Sequence, residues 1–408
     1  MGSFSTALTG LQADTVSLNT IGNNLANLNT TAFKDQSTTF EDLFYQQMGT
    51  SGSNNPIQVG VGTKVSGTDT NFLQGTLSQT GNSADMALQG NGFFVVQQGN
   101  VQSLTRAGNF QLDQVGNLTT VDGEQVMGYP APGGVVNTNA GLVPLSVPVG
   151  VNEAAHATQN FSVTANLDAS AATGTQVTSP VTVYDSLGQS HAASVSYTKT
   201  GANTWDYAIT LPAGDATGAP VNNTGTLTFD TNGNLVSPTA NVTGITFPAL
   251  TDGASDMTFN WNLYTNGSST IAQSSAASST TKTNQDGYAT GTYQSFMVDA
   301  NGVISATFSN GHTQDVGQVA VASVTNTEGL VLVGNNNYMT TAASGTATVG
   351  VAGVGGRGTI EDSALEQSNV DISTEFANLI VAQRAFQANS KTMTTFDSVA
   401  QDTIAMIR

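Results

Sequence analysis

The chain has 408 residues, of which only 9% are charged, and its 28 acidic and 9 basic residues leave a formal net charge of −19. Such a length supports about two or three domains with real cores. The acidic balance excludes a nucleic-acid partner, which needs clustered Lys and Arg over phosphates, and also docking on an anionic membrane surface. The absence of cysteine excludes disulfides, thiolate metal sites and a cysteine nucleophile.

No Lys or Arg precedes Lys34, so the start lacks the positive segment of a cleaved secretory signal, and any export is expected by another route. No apolar run approaches the roughly 20 residues of a membrane span, so no direct membrane insertion is expected. Residues 3–28 read as a helix. Phe4, Leu11, Leu18 and Leu25 fall seven apart, and Leu8, Ile21 and Leu28 widen the stripe. Gly10 and Gly22 weaken its interior by about 1 kcal/mol each relative to Ala. From 29 to 70 the pattern dissolves into Thr, Ser, Gly and Asn around an aromatic knot at Phe40, Leu43, Phe44 and Tyr45. An extended connector is expected there, with at most a short helix or hairpin.

From about residue 71 the period changes to two. Gly90-Asn91-Gly92 precedes a strand over 93–96, and Gly108-Asn109, Gly116-Asn117 and Asp122-Gly123 punctuate short strands up to Tyr129. A Pro- and Gly-rich boundary follows over 130–148. A second β-rich block runs from 149 to 285, clearest at Val181–Tyr184, Ser194–Tyr197, Trp205–Tyr207 and Leu227–Phe229. The polar tract 265–284 reads as a return linker. From 286 to 362 the first block's style returns. The expected fold is mainly β with terminal α-helices. It comprises two nested β domains, the second (149–285) inserted in the first (71–148 with 286–362), plus a coiled-coil-like helical domain from 1–28 with 363–408.

The C-terminal stretch is a second seven-residue repeat: Ile372, Leu379, Phe386, Met393, Ala400 and Ile407, flanked by Phe376 and Ile404 and free of Pro and Gly. An amphipathic helix is most often one wall of a domain core. Two features favour a seam between chains. Both helices sit at chain ends, and their other faces carry short neutral side chains such as Gln383, Gln387, Asn389 and Ser390. These bury against a neighbour at lower desolvation cost than unpaired charges. The expected self-assembly seam is therefore Phe4, Leu8, Leu11, Leu18, Ile21, Leu25, Leu28, Phe376, Leu379, Phe386, Met393, Ala400, Ile404 and Ile407.

Catalytic signatures are missing from the sequence. His156, His191 and His312 have no ligand spacing and read as surface or turn residues. The glycines around 353–356 lack the Lys and the strand–helix context of a phosphate loop. Asp230-Thr231-Asn232-Gly233-Asn234 and Asp299-Ala300-Asn301-Gly302 begin like calcium loops but lack the glutamate and the glycine placement, so they read as hairpin turns. No catalytic residue, metal or cofactor is expected.

Several long motifs carry a resemblance. They are Ala7-Leu8-Thr9-Gly10-Leu11-Gln12-Ala13, Ile21-Gly22-Asn23-Asn24-Leu25-Ala26-Asn27 and Asn29-Thr30-Thr31-Ala32-Phe33-Lys34. Further along come Asp85-Met86-Ala87-Leu88-Gln89-Gly90-Asn91-Gly92-Phe93-Phe94 and Thr105-Arg106-Ala107-Gly108-Asn109-Phe110. Near the end stand Ala364-Leu365-Glu366-Gln367-Ser368-Asn369-Val370-Asp371 and Gln383-Arg384-Ala385-Phe386-Gln387-Ala388-Asn389-Ser390. Together they resemble the bacterial flagellar axial rod and hook family, with Ala32 standing where that family usually has Gly. Val183-Tyr184-Asp185-Ser186-Leu187-Gly188, the inserted block and Asp286-Gly287-Tyr288 are similar to its hook branch. The resemblance implies export through the flagellar secretion channel without a cleaved signal. It further implies assembly, under a cap, into a hollow extracellular tube whose inner wall is lined by the terminal helices. That tube joins rod to filament and transmits torque as a universal joint. The implied partners are further copies of the chain, the distal rod, the hook cap, hook–filament junction proteins and the export apparatus. The alternatives are a distal rod component of the same axis, or an exported β-rich adhesin or enzyme with oligomerising helical ends.

Overall fold

The computed structural model describes residues 2–50, 52 and 56–406. It is mainly β, with α1 (Gly2–Ala26) and α2 (Ile372–Met406) at the two ends. The chain divides into two compact units. One comprises 1–149, 296–306 and 314–408, and the other 150–295 and 307–313.

In the first unit, Phe93–Gln98, Val101–Thr105 and Gln125–Pro130 are the central antiparallel strands. Their inward residues pack with Ala320, Ala322 and Tyr338 around Phe93 and Val95. Two short pairings then zip the early and late parts of this unit together. Met86–Gln89 lies antiparallel to Thr359–Asp362, and Leu77–Gln79 to Ala364–Glu366. They bring the residues just before α2 beside residues 77–89.

The stretch expected as an extended connector forms two antiparallel ribbons. Gln36–Asp42 pairs with Thr63–Thr70, and Gln46–Thr50 with Pro56–Val59. Thr-rich alternation suits a two-stranded ribbon, because β-branched side chains favour extended backbone. The aromatic knot leaves Phe44 95% and Tyr45 58% exposed.

The second unit is a pair of five-stranded sheets. One is an antiparallel meander of Gln176–Tyr184, Ser190–Gly201, Thr204–Thr210, Thr224–Phe229 and Leu235–Ser237. The other is built around Asn160–Asp168. The inward residues of both, led by Tyr197, Trp205 and Trp261, form one core. Strict in–out alternation along Ser190–Gly201 turns Ala193, Val195 and Tyr197 inward, with His191 and Lys199 at the two ends of the same face.

Two expectations need correction here. The tract 265–284 is not a free linker: Ile271–Ser274 and Ser279–Gln285 both pair with Asn160–Asp168. Ile271 and Gln273 alternate inward, and the Gln273 carboxamide accepts a hydrogen bond from Trp205 Nε1 at 3.0 Å. Composition hid an alternation of only two inward residues. His191, expected on the surface, is 6% exposed. It occupies an inward position of its strand, where its ring is held by Asp185 and Asp215. Burial alone would lower the His191 pKa, but these hydrogen bonds raise it above the usual histidine range. The other two histidines both stack against Tyr288.

The Asp-x-Asn-Gly segments are hairpin turns. Asp230 Oδ1 accepts the N–H groups of Asn232 and Asn234, both at 2.8 Å, and Asp299 Oδ1 those of Asn301 and Val303 at 2.9 and 2.8 Å. Each carboxylate turns onto its own loop, and the glycine three residues later takes a φ of +83°.

Candidate self-assembly surface

The two ends of the chain form a helical pair. At the start of α2, Asp371 Oδ1 accepts the N–H groups of Ser373 and Thr374 at 2.8 and 3.2 Å, as a helix N-cap does. α1 ends where the Asn27 N–H reaches back to Asn23 and Asn24, so Leu28 lies in the following turn rather than in the helix.

Few side chains of the two helices are buried, and Ala7, Ala13 and Ala382 among them are small. On α1 the buried positions include Ala7, Ala13 and Ile21, and on α2 only Glu375 and Ala382 are buried among the described residues. Asn389 lies across Gly10, where a Cβ would meet its Nδ2 at 2.7 Å, and that same Nδ2 donates to Asp14 at 2.8 Å. Gly10, a weakness in an isolated helix, is thus the position that lets Asn389 approach. Asn24, fully buried, bonds the backbone of Gln36 in both directions at 2.8 and 3.0 Å, which ties α1 to the longer ribbon.

The roots of both helices meet at a buried ion cluster. Lys34 Nζ lies 2.7 Å from Glu366 Oε1, and Arg106 lies 3.3 Å from Glu366 Oε2. Lys34 also donates to the Leu73 carbonyl at 2.7 Å, and the Gly75 N–H donates to Glu366 at 2.8 Å. All three charged residues are almost wholly buried. Burial lowers the Lys34 and Arg106 pKa values, with Glu366 opposing the shift in each case. Asn369 adds a bond from the Asp35 N–H and two to the carbonyls of Asn71 and Leu73. Ala32 takes a φ of +57° while completely buried, a conformation that favours glycine, and its N–H donates to the Glu366 carbonyl at 2.8 Å. Three motifs far apart in sequence, ending in Lys34, beginning with Thr105-Arg106 and containing Glu366, therefore converge on one junction.

The expected seam residues divide between covered and open positions. Ile21 is buried; Leu11, Leu18, Leu25, Leu28, Leu379 and Met393 are half-buried; Leu8, Phe376, Phe386, Ala400 and Ile404 are exposed. Phe4 lies in α1, with its side chain outside the described residues, as is all of Ile407. Periodicity alone missed Ile380 and Val381, which are 58% and 68% exposed. A count of apolar residues off the heptad positions would have found them. Among the described residues the surface offers apolar contact, amide and hydroxyl hydrogen bonds, and on α2 the exposed charges of Arg384, Lys391, Asp397 and Asp402.

Comparison with known proteins agrees along the whole chain. Residues 4–34 match the family described as "Flagella basal body rod protein". Residues 154–288 match "Flagellar basal body protein FlaE D2 domain", and 361–406 match "Flagellar basal body rod FlgEFG protein C-terminal". The flagellar hook protein FlgE of Treponema pallidum is 33% identical, with both chains covered in full. That of Escherichia coli is 36% identical, over 97% of this chain and 98% of the relative. A crystal structure of Helicobacter pylori FlgE2 shares the fold, with a TM-score of 0.55 over 71% of this chain and all of that one, at 16% identity. The chain is a structural protein rather than an enzyme, and it belongs to the flagellar hook protein FlgE family.

Proposed function

We propose that this chain is the subunit of the flagellar hook, assembling with copies of itself into a hollow, bendable helical tube that links rod to filament and transmits torque. The observation that carries this reading is α2. It is 35 residues long, yet only Glu375 and Ala382 are buried. Ile372, Phe376, Ile380, Val381 and Val399 are 45–68% exposed. A helix of that length whose apolar residues face solvent in the single chain gains its stability from neighbours. In this reading the helical domain is built from 1–28 with 363–408, and the seam residues named from the sequence, together with Ile380 and Val381, contact adjacent subunits. The β block 149–285 is an insertion between 71–148 and 286–362. Contacts with rod, cap and junction proteins and passage through the export apparatus follow from family membership.

Polymerisation of the purified full chain tests the reading directly. Seeded samples viewed by electron microscopy are expected to show short, curved, hollow tubes. Phe376→Asp combined with Val381→Asp places two charges on the exposed face, and is expected to abolish tubes while the monomer's circular dichroism is retained. Tubes forming at the wild-type rate from that variant would reject α2 as the assembly surface.

A further inference from the structure

One cluster in the 150–295 unit is not explained by assembly. Asp185, His191 and Asp252 each offer a ligand-type atom, and these atoms all lie within 4.8 Å of one another. Asp185 Oδ2 lies 3.0 Å from His191 Nε2, and Asp252 Oδ2 lies 3.7 Å from it. On the far side of the ring, His191 Nδ1 lies 2.8 Å from Asp215 Oδ2. This is not an ordinary acidic surface: the Asp185 side chain is 0% exposed, that of His191 6%, and that of Asp252 28%.

The arrangement favours a cation between its members. With Asp215 accepting from Nδ1–H, the Nε2 lone pair faces two carboxylate oxygens, and only a positive centre makes that approach favourable. The candidates are a proton or a metal ion. A proton on Nε2 leaves three carboxylates against one imidazolium. Among the described residues no Lys or Arg makes an ion pair with any of them. Residues 150–295 hold only Lys199 and Lys282 and no Arg, and Lys199 is engaged with the carbonyls of Asp168 and Ala169 and with the Trp205 ring. A divalent ion in place of that proton leaves one negative charge rather than two.

The distances suit one. Tetrahedral zinc with bonds of about 2.0–2.1 Å sets its ligand atoms about 3.3–3.4 Å apart. The observed 3.0 and 3.7 Å bracket that value. The surroundings suit it as well. Asp185 Oδ1 accepts the N–H groups of Leu187 and Gln189 at 2.8 and 3.0 Å, which fixes the carboxylate with Oδ2 toward the histidine. Asp215 supplies the outer carboxylate that metal-bound histidines commonly use to hold their tautomer. The partly exposed Asp252 side leaves room for water as the fourth ligand.

We propose that His191, Asp185 and Asp252 bind a divalent first-row transition ion, with zinc the best fit to one imidazole and two carboxylates, and that Asp215 orients the histidine from outside the coordination sphere. Zinc binding then staples the Tyr184–Ser190 hairpin to the loops bearing Asp215 and Asp252. It also takes the place of any proton on Nε2.

Titration calorimetry of untagged full-length protein with zinc chloride tests this, paired with thermal melts followed by tryptophan fluorescence. Both tryptophans, Trp205 and Trp261, lie in this unit. The expected result is one zinc per chain and a higher melting midpoint. Asp252→Asn, at a part-exposed position that leaves the fold intact, should abolish both effects. Asp215→Asn should weaken binding about 10–100-fold. No zinc-dependent heat or melting shift, or binding that survives Asp252→Asn, would overturn the proposal. Survival would place the ion elsewhere, for instance at Glu153 and His312; no binding would leave the cluster as a proton clamp.

Discussion

At the residue scale the most consequential group is Glu366. It is the single anion serving two buried cations, and it also accepts the Gly75 N–H. Breaking a buried ion cluster by removing one partner costs about 3–5 kcal/mol, because the remaining charges keep their desolvation penalty without compensation. Glu366→Gln is therefore expected to lower the stability of the first unit by about that amount in calorimetric unfolding. The tryptophan-reported melt of the other unit should stay unchanged. Asp286 gives a pH-dependent counterpart. Its carboxylate accepts the N–H groups of Gln159 and Asn160 at 2.8 and 2.9 Å and the Asn160 side-chain amide at 2.8 Å. Burial would raise its pKa, yet these bonds hold it below the usual 3.8. A depressed carboxylate stabilises the fold above its unfolded pKa, and that stabilisation is lost as pH falls through the folded value. Asp286→Asn is expected to cost about 0.5–1.5 kcal/mol at pH 7, the range for hydrogen bonds open to solvent. The difference from wild type should shrink steadily below pH 3.8 in fluorescence-monitored denaturation. A gap that persists unchanged into acid would show that the carboxylate's charge is irrelevant.

At the element scale the helices decide assembly. Between α1 and α2, Asn389 approaches Gly10 and donates to Asp14, and of the 35 residues of α2 only Glu375 and Ala382 are buried. Such a pair holds its helices only weakly in the lone subunit. Amides of residues 373–406 are accordingly expected to exchange with solvent quickly in the monomer and slowly in the polymer, as read by hydrogen exchange with NMR or mass spectrometry. Strong protection in the monomer would remove the coupling of folding to assembly. Legibility of this region in the sequence was uneven for a physical reason. The seven-residue rule finds large apolar side chains such as Leu18 and Phe386. It passes over Gly10 and Ala382, whose value lies in being small. Turn signals were legible because Asn-Gly and Asp-Gly act locally, and the strands of the second unit because in–out alternation repeats along each one. The tract 265–284 was misread because Ser and Thr serve linkers and strands alike. The ion cluster was invisible, since Lys34 and Glu366 are 332 residues apart and no local pattern links them. His191 was missed for the same reason: its partners Asp215 and Asp252 come from separate loops.

At the scale of the whole molecule, the low charge noted at the outset gains a mechanical meaning in the proposed role. A tube that bends while turning must let each subunit slide against its neighbours once per revolution. Contacts made by Ser, Thr and Asn exchange at about 1 kcal/mol net each, whereas a buried ion pair costs several times more to break. With only 9% charged residues, the chain offers neighbours many contacts of the first kind and few of the second. The 150–295 unit is the place to test this, because exposed Thr178 and Thr182 sit on a regular strand whose inward residues alone carry the core. Replacing one by Lys and the other by Glu leaves that core untouched and creates charges of both signs on every subunit. Tubes built from the variant are expected to be stiffer, with a longer persistence length in electron micrographs at low salt. The stiffening should recede at high salt, where exposed charges are screened over about 3 Å at 1 M. Unaltered stiffness in both conditions would mean that bending is governed by the shape of the subunit contacts rather than by their polarity.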